Sequence, residues 1–153
     1  MQTNGLLHLE ATPANCTLLQ GFEWYVPADG IHYQRLMNVL PQLQAIGVTA
    51  VWLPPGCKSC EGPKGNGYDI YDIWDLGEFN QKGGVRTKWG DKEGLVKLAD
   101  RAKVLDIALY WDAVMNHKAG ADWTETGKVV EVDEDGMPAI TQFSLLLHTK
   151  AIL

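Results

Sequence analysis

Asp112, Asn116 and His117 stand close together just past the apolar run Ile107-Ala-Leu-Tyr-Trp111. An acid, an amide and an imidazole at the end of a strand that buries its body form a common kind of pocket floor. A second pair with chemical potential is Cys57-Lys-Ser-Cys60. Its spacing suits half of a zinc site or a redox dithiol, but zinc needs a second ligand pair and none has suitable spacing. A redox pair opens a helix after a strand, whereas proline and glycine surround this one. The expectation is a plain loop with reduced thiols.

These residues need elements to position them. Residues 1–15 are polar, contain Pro13, and read as a flexible arm. Cys16 to Trp24 is rich in strand formers, and Pro27-Ala-Asp-Gly30 is a turn. Leu36, Val39, Leu40, Leu43 and Ile46 recur at helical intervals, interrupted by Pro41. Proline is comfortable only in a first turn, so two short helices are expected, at about 32–38 and 41–46, with Gly47 ending the second. Val48 to Leu53 is a continuous apolar strand of the kind covered on both faces.

Residues 54–90 form a long connection with Pro54, Pro55, Pro63 and eight glycines. Connections of that length in a compact domain are functional or disordered. The interleaved aromatics and acids of Tyr68-Asp-Ile-Tyr-Asp-Ile-Trp-Asp-Leu-Gly-Glu-Phe79 argue against disorder. Asp91 can cap a following helix that carries Glu93 in its first turn and an apolar stripe of Leu95, Leu98, Ala99, Ala102 and Leu105. Ile107 to Trp111 then reads as a third, buried strand.

Strand, helix, strand, helix, strand predicts parallel strands with helical crossovers, an α/β fold. No phosphate-binding glycine fingerprint follows any strand, which weakens a nucleotide-binding reading. The polar clusters follow the C-terminal ends of the strands, the face that carries active sites in (β/α)8 barrels. A full barrel takes ~250 residues, so about three βα units amount to a partial one.

Bulk composition narrows the function. The 153 residues are 46% hydrophobic and 21% charged, ordinary for a globular protein. A net charge of −6 argues against nucleic acid, which demands clustered Lys and Arg. The N-terminal residues lack a secretory pattern, and no apolar stretch has membrane-spanning length, so no membrane partner is expected and a cytoplasmic location is the default. Each of the six tryptophans is expected more often in the core than on a ligand.

Read in order, Leu18-Leu-Gln-Gly-Phe-Glu-Trp-Tyr25, Gly47-Val-Thr-Ala-Val-Trp-Leu-Pro-Pro55, Gly67 to Phe79, Lys82-Gly-Gly-Val-Arg-Thr-Lys-Trp-Gly90 and Asp112-Ala-Val-Met-Asn-His117 resemble one family. It is the α-amylases of glycoside hydrolase family 13, the intracellular liquefying type in particular. The resemblance spans about 16–133 and rests on the order and spacing of all five segments together. It implies a (β/α)8 TIM barrel with a small domain B after the third strand, and retaining cleavage of internal α-1,4 bonds in starch- or glycogen-type glucans. Retention needs two carboxyl groups ~5–5.5 Å apart. In the family these lie on strands four and five, with a third acid after strand seven, so no catalytic residue is assigned in this chain.

What the resemblance carries over is one side of the sugar pocket. Tyr68 matches a tyrosine that stacks on the sugar beside the cleaved bond, His117 a histidine that hydrogen-bonds that sugar, and Asp112 an aspartate that orders neighbouring polar groups. Asn116 matches a calcium ligand that ties barrel to domain B. Calcium requires ~6–8 oxygens, and most of the family's donors come from domain B, so a complete site in this chain is not expected. The expected partner is an α-glucan or maltooligosaccharide.

The expected organisation is an arm over 1–15, the first part of the barrel over 16–123, and the start of domain B with an aberrant tail over 124–153. Val130-Glu-Val-Asp133 still resembles the start of domain B, whereas Ala139 to Leu153 does not resemble the family and suggests truncation or an altered reading frame. Ile140, Phe143, Leu146 and Leu147 could line a helix or a strand face. The isolated chain is expected to be inactive. Two rival readings are a non-catalytic glucan-binding fragment and an unfolded product without a biochemical role.

Overall fold

The computed structural model describes residues 15–132, 134–135 and 138–147. The expected arm over 1–15 and the end of the tail lie almost wholly outside them. Strand β1 (Leu18–Gln20), helix α1 (His32–Ala45), strand β2 (Ala50–Leu53), strands β3 (Lys58–Ser59) and β4 (Ile70–Asp72), helix α2 (Lys92–Val104) and strand β5 (Ala108–Trp111) follow in order. Strands β6 (Trp123–Val132) and β7 (Pro138–Leu147) complete the sequence. The main sheet runs β1-β2-β5 and is parallel throughout. Leu19 pairs with Val51, and Val51 with Leu109. This is the expected α/β alternation, as a partial barrel of three parallel strands and two helices.

The helices cover one face of the sheet. Leu36 and Leu40 of α1, Val51 and Leu53 of β2, Leu98 and Ala102 of α2, Ile107 and Trp89 form one buried cluster. Burying a side chain such as Leu40 or Leu98, each 0% exposed, contributes about 1.5–3 kcal/mol. Asp91 caps α2 as expected, its Oδ1 accepting from the Gly94 N–H at 2.8 Å. Of the stripe on α2, Leu98 and Ala102 are buried and Leu95 and Leu105 pack against the same cluster, whereas the expected Ala99 lies on the exposed flank of the helix.

Three expectations are corrected. Residues 32–45 form one helix, not two, with Pro41 inside it. Proline removes one backbone hydrogen bond, but Leu36 and Leu40 on the same stripe are both buried, and that packing carries the helix through the break. The third strand is not buried along its length: Ile107 is 5% exposed, but Tyr110 is 50% and Trp111 36% exposed. It is the edge of the three-stranded sheet, so only one side of it is paired. Only Trp89 among the tryptophans is a core residue, at 1% exposure, while Trp24 is 59% and Trp74 74% exposed.

The long connection folds on itself. β3 and β4 pair antiparallel, with a short 3-10 turn at Gly62–Lys64 between them. The fully buried Lys58 then organises the rest. Its Nζ donates to the carbonyls of Phe79 (3.1 Å), Gly84 (2.8 Å) and Val85 (2.5 Å) and lies 3.4 Å from Asp75 Oδ2. Asp75 Oδ1 accepts from the N–H groups of Gly77, Glu78 and Phe79, and the Gln81 amide bridges Asp72 and Asp75 at 3.0 Å each. An internal ammonium with four oxygens around it replaces the hydrophobic contacts that this glycine-rich segment lacks.

Beyond the sheet, β6 and β7 pair antiparallel over ten residues each, from Trp123 opposite Leu147 to Val132 opposite Pro138. Residues 138–147, with Ile140, Phe143, Leu146 and Leu147, are therefore strand. No helix among the described residues is long and apolar enough to cross a membrane.

Candidate functional site

Three loops that leave the C-terminal ends of the parallel strands meet at one place. The loop after β1 carries Trp24, the connection after β2 carries Asn66 and Tyr68, and the segment after β5 carries Asp112 and His117. Parallel strands end on a common edge, so side chains far apart in sequence are delivered together.

Tyr68 is the centre of this group. Its hydroxyl donates to Asp112 Oδ2 at 2.8 Å, and its backbone carbonyl lies 2.7 Å from His117 Nε2. Its ring stacks on Trp24, with centroids 6.0 Å apart and planes 8° from parallel. Burial, then the hydrogen bond and charge of Asp112, push the Tyr68 phenol up to about 12. Gly67 makes the approach possible: φ is +91°, and a Cβ there would sit 2.3 Å from the Pro55 carbonyl oxygen. Only glycine lets the backbone pass that close to β2's end and present Tyr68.

The sequence-based set is thus largely gathered. Asp112 and His117 each bond to Tyr68, with Tyr68 and Asp112 half-buried and His117 exposed. His117 reaches the loop backbone through one ring nitrogen, which ties the segment after β5 to the connection after β2. Asn116 is exposed and makes no hydrogen bond among the described residues. It offers a calcium ion one oxygen, and the described residues hold no grouping of three or more His, Cys, Asp or Glu side chains able to grip a metal.

Sequence reasoning missed Trp24, Lys88 and Asn66 as parts of the site. A cavity of about 460 Å³ is lined by Trp24, Tyr25, Asn66, Tyr68, Asp69 and Lys88 among others. The Lys88 ammonium donates to the Trp24 carbonyl at 2.8 Å and to Asn66 Oδ1 at 2.5 Å. Burial pushes this ammonium down from the ordinary lysine value, opposed by the charge of Glu23. The position of Trp24 just past a strand end was the available signal.

The two cysteines do structural work. Cys60 Sγ donates to Asp69 Oδ2 at 2.9 Å, beside Ser59 Oγ at 2.6 Å, and Cys57 Sγ donates to the Ile73 carbonyl at 3.3 Å. Burial is the main reason both thiols are pushed up to about 11. Both are free thiols.

An aromatic pair beside a carboxylate and an imidazole thus sits on the C-terminal edge of a partial α/β barrel. The fold agrees with solved structures: an alternansucrase in complex with isomaltotriose superposes with a TM-score of 0.67 over 86% of this chain and 13% of its own, at 19% identity. The family model for the alpha amylase catalytic domain matches residues 32–134. An alpha-amylase of Bacillus licheniformis is 49% identical over 84% of this chain and 25% of its own length. A cytoplasmic alpha-amylase of Escherichia coli is 44% identical over 84% of this chain and 26% of its own. The chain belongs to the α-amylase family of glycoside hydrolases, and it spans about a quarter of the length of these relatives.

Proposed function

We propose that this chain is the N-terminal part of an α-amylase that hydrolyses internal α-1,4 bonds of starch- or glycogen-type glucans with retention, and that it supplies one wall of the sugar pocket. The observation that carries this reading is the joined set Trp24, Tyr68, Asp112 and His117. An aromatic face suits the C–H face of a pyranose, while the carboxylate and imidazole suit its hydroxyls. Residues 16–123 are the barrel portion, and residues 124–153 are the start of domain B with an aberrant tail. Calcium would take the Asn116 carbonyl as one donor, with the others from outside the described residues. The E. coli relative's name supports a cytoplasmic location.

The 153 residues alone do not cleave glucan in this reading. Retention needs a nucleophile and an acid/base ~5–5.5 Å apart. Of the carboxylates at the platform, Asp112 accepts from Tyr68, and Asp69 from Ser59, Cys60 and the Glu61 N–H. Calorimetry with maltoheptaose, paired with a reducing-sugar assay on soluble starch, tests both halves. Heat of binding without product is expected. Absence of heat overturns the binding role, and product that disappears in Tyr68→Ala and His117→Ala overturns the inactivity.

A further inference from the structure

The geometry points to Lys88 as the positioning residue that assembles the aromatic platform, by clamping the loop that carries Trp24 to the loop that carries Tyr68. Trp24 and Tyr68 belong to loops after different strands, and a stacked pair of rings needs both loops held at a fixed separation. Phe22 and Val26 pack the base of the first loop against the core, but Trp24 at its tip is 59% exposed and is not held by burial.

The Lys88 ammonium occupies the joint between them. It donates to the backbone carbonyl of Trp24 itself at 2.8 Å and to Oδ1 of Asn66, two residues before Tyr68, at 2.5 Å. The other side of the ammonium lies 5.0 Å over the Trp89 ring, and the Trp89 indole N–H donates to the Asn66 carbonyl at 3.2 Å. Lys88 and its neighbour therefore hold both the side chain and the backbone of Asn66. The residue as a whole is 5% exposed, so its stem is fixed as well as its charge. The backbone of the 88–89 segment is anchored to α1 in turn: Gly30 N–H donates to the Lys88 carbonyl at 3.2 Å and Tyr33 N–H to the Trp89 carbonyl at 3.1 Å. A charge-assisted donor on a rigid base, aimed at acceptors on two separate loops, is the arrangement that preorganises a binding surface. In the glucan reading the sugar stacks on Tyr68, and Lys88 acts by holding the two rings in place. This inference rests on the glucan reading for its consequence in binding, but the clamp itself does not.

The test uses the 153-residue chain and two readouts. Lys88→Met keeps the stem and removes the donor; Lys88→Arg restores a cation. The Trp24 indole N–H resonance, identified by its loss in Trp24→Phe, reports the stacking, and calorimetry with maltoheptaose reports affinity. Lys88→Met is expected to move the Trp24 resonance toward that of an unstacked indole and to weaken binding about tenfold, with Lys88→Arg recovering part of both. In the Lys88→Met background, Trp24→Ala is expected to add little further loss, because the platform is already apart. A Trp24 resonance unmoved in Lys88→Met overturns the clamp whether or not sugar binds. Additive losses from the two substitutions overturn it too. If the wild type binds no maltoheptaose, the glucan reading fails and the resonance alone decides the clamp. Should Lys88→Met not fold, Asn66→Ala removes one acceptor and is read the same way.

Discussion

The Tyr68 hydroxyl and the Asp112 carboxylate are joined at 2.8 Å across 44 positions of sequence. Tyr68 comes from the long connection after β2, just before β4, and Asp112 directly follows β5, so the bond ties that connection to the parallel sheet. Asp112→Asn keeps the shape but removes the charge that holds the phenol proton. Burial is the larger cause of the raised Tyr68 value and remains, so the phenol is expected to fall from about 12 only part of the way back to 10. Ultraviolet titration of the phenolate, taken as the difference from Tyr68→Phe, measures it. No change would mean that the bond is absent in solution.

Alkaline pH should destabilise the fold ahead of general denaturation. Tyr68 and Tyr71 are pushed up to about 12 and Cys57 and Cys60 to about 11, burial being the first cause in each. All four are neutral when protonated, and folding favours that form. Their contribution is therefore complete below the ordinary values of 9 for the thiols and 10 for the phenols, and is lost as pH rises through 11 and then 12. Melting temperature against pH is expected to be flat near neutrality on account of these groups and to fall above about pH 9. A Cys57→Ser, Cys60→Ser variant should start its fall about one unit later, where the phenols take over.

Lys58→Met should be among the most damaging single changes. It strips the ammonium from three carbonyls and leaves Asp75, itself fully buried, without its cation. Breaking a buried pair by removing one partner costs about 3–5 kcal/mol, a large share of a total near 5–15 kcal/mol. Urea unfolding measures the loss. A change under about 1 kcal/mol would mean the pair is solvated in solution.

Gly67→Ala should damage the site more than its size suggests. The new Cβ meets the Pro55 carbonyl oxygen at 2.3 Å on a residue with φ of +91°, a strain of about 1–3 kcal/mol. Tyr68 is the next residue, so relief of the clash moves it. Denaturant unfolding and maltoheptaose calorimetry should show both stability and affinity reduced, whereas Gly83→Ala, with nothing within 4 Å of its Cβ, should reduce stability alone.

Thiol chemistry offers a separate check. Cys16 is exposed, whereas Cys57 and Cys60 are half-buried and pushed up to about 11. Raising a thiol by about two units lowers its reaction rate at pH 8 roughly tenfold, the fall in thiolate being partly offset by greater nucleophilicity. Reaction with a chromogenic disulfide should show one fast thiol and two slow ones. Three equal rates would contradict the hydrogen bonds to Asp69 and Ile73.

Much of this protein is written locally. The amphipathic stripe of α2, the Asp91 cap, the apolar run of β2 and the alternation of strand and helix each depend on residues a few positions apart, and the structure has them where periodicity puts them. Tyr68, Asp112 and His117 were legible as candidates because the family motifs name them and because they follow strand ends. The unbroken course of α1 through Pro41 was not, since a proline is a local penalty and the burial of Leu36 and Leu40 is a tertiary gain. Nor was the exposure of β5, because an apolar run does not say whether a neighbour lies beside it. The roles of Trp24, Lys58, Asn66 and Lys88 emerged only in three dimensions. A lysine's sequence context shows a charge, but which carbonyls surround it depends on where three separate loops close, and that closure is set by the packing of the sheet beneath them.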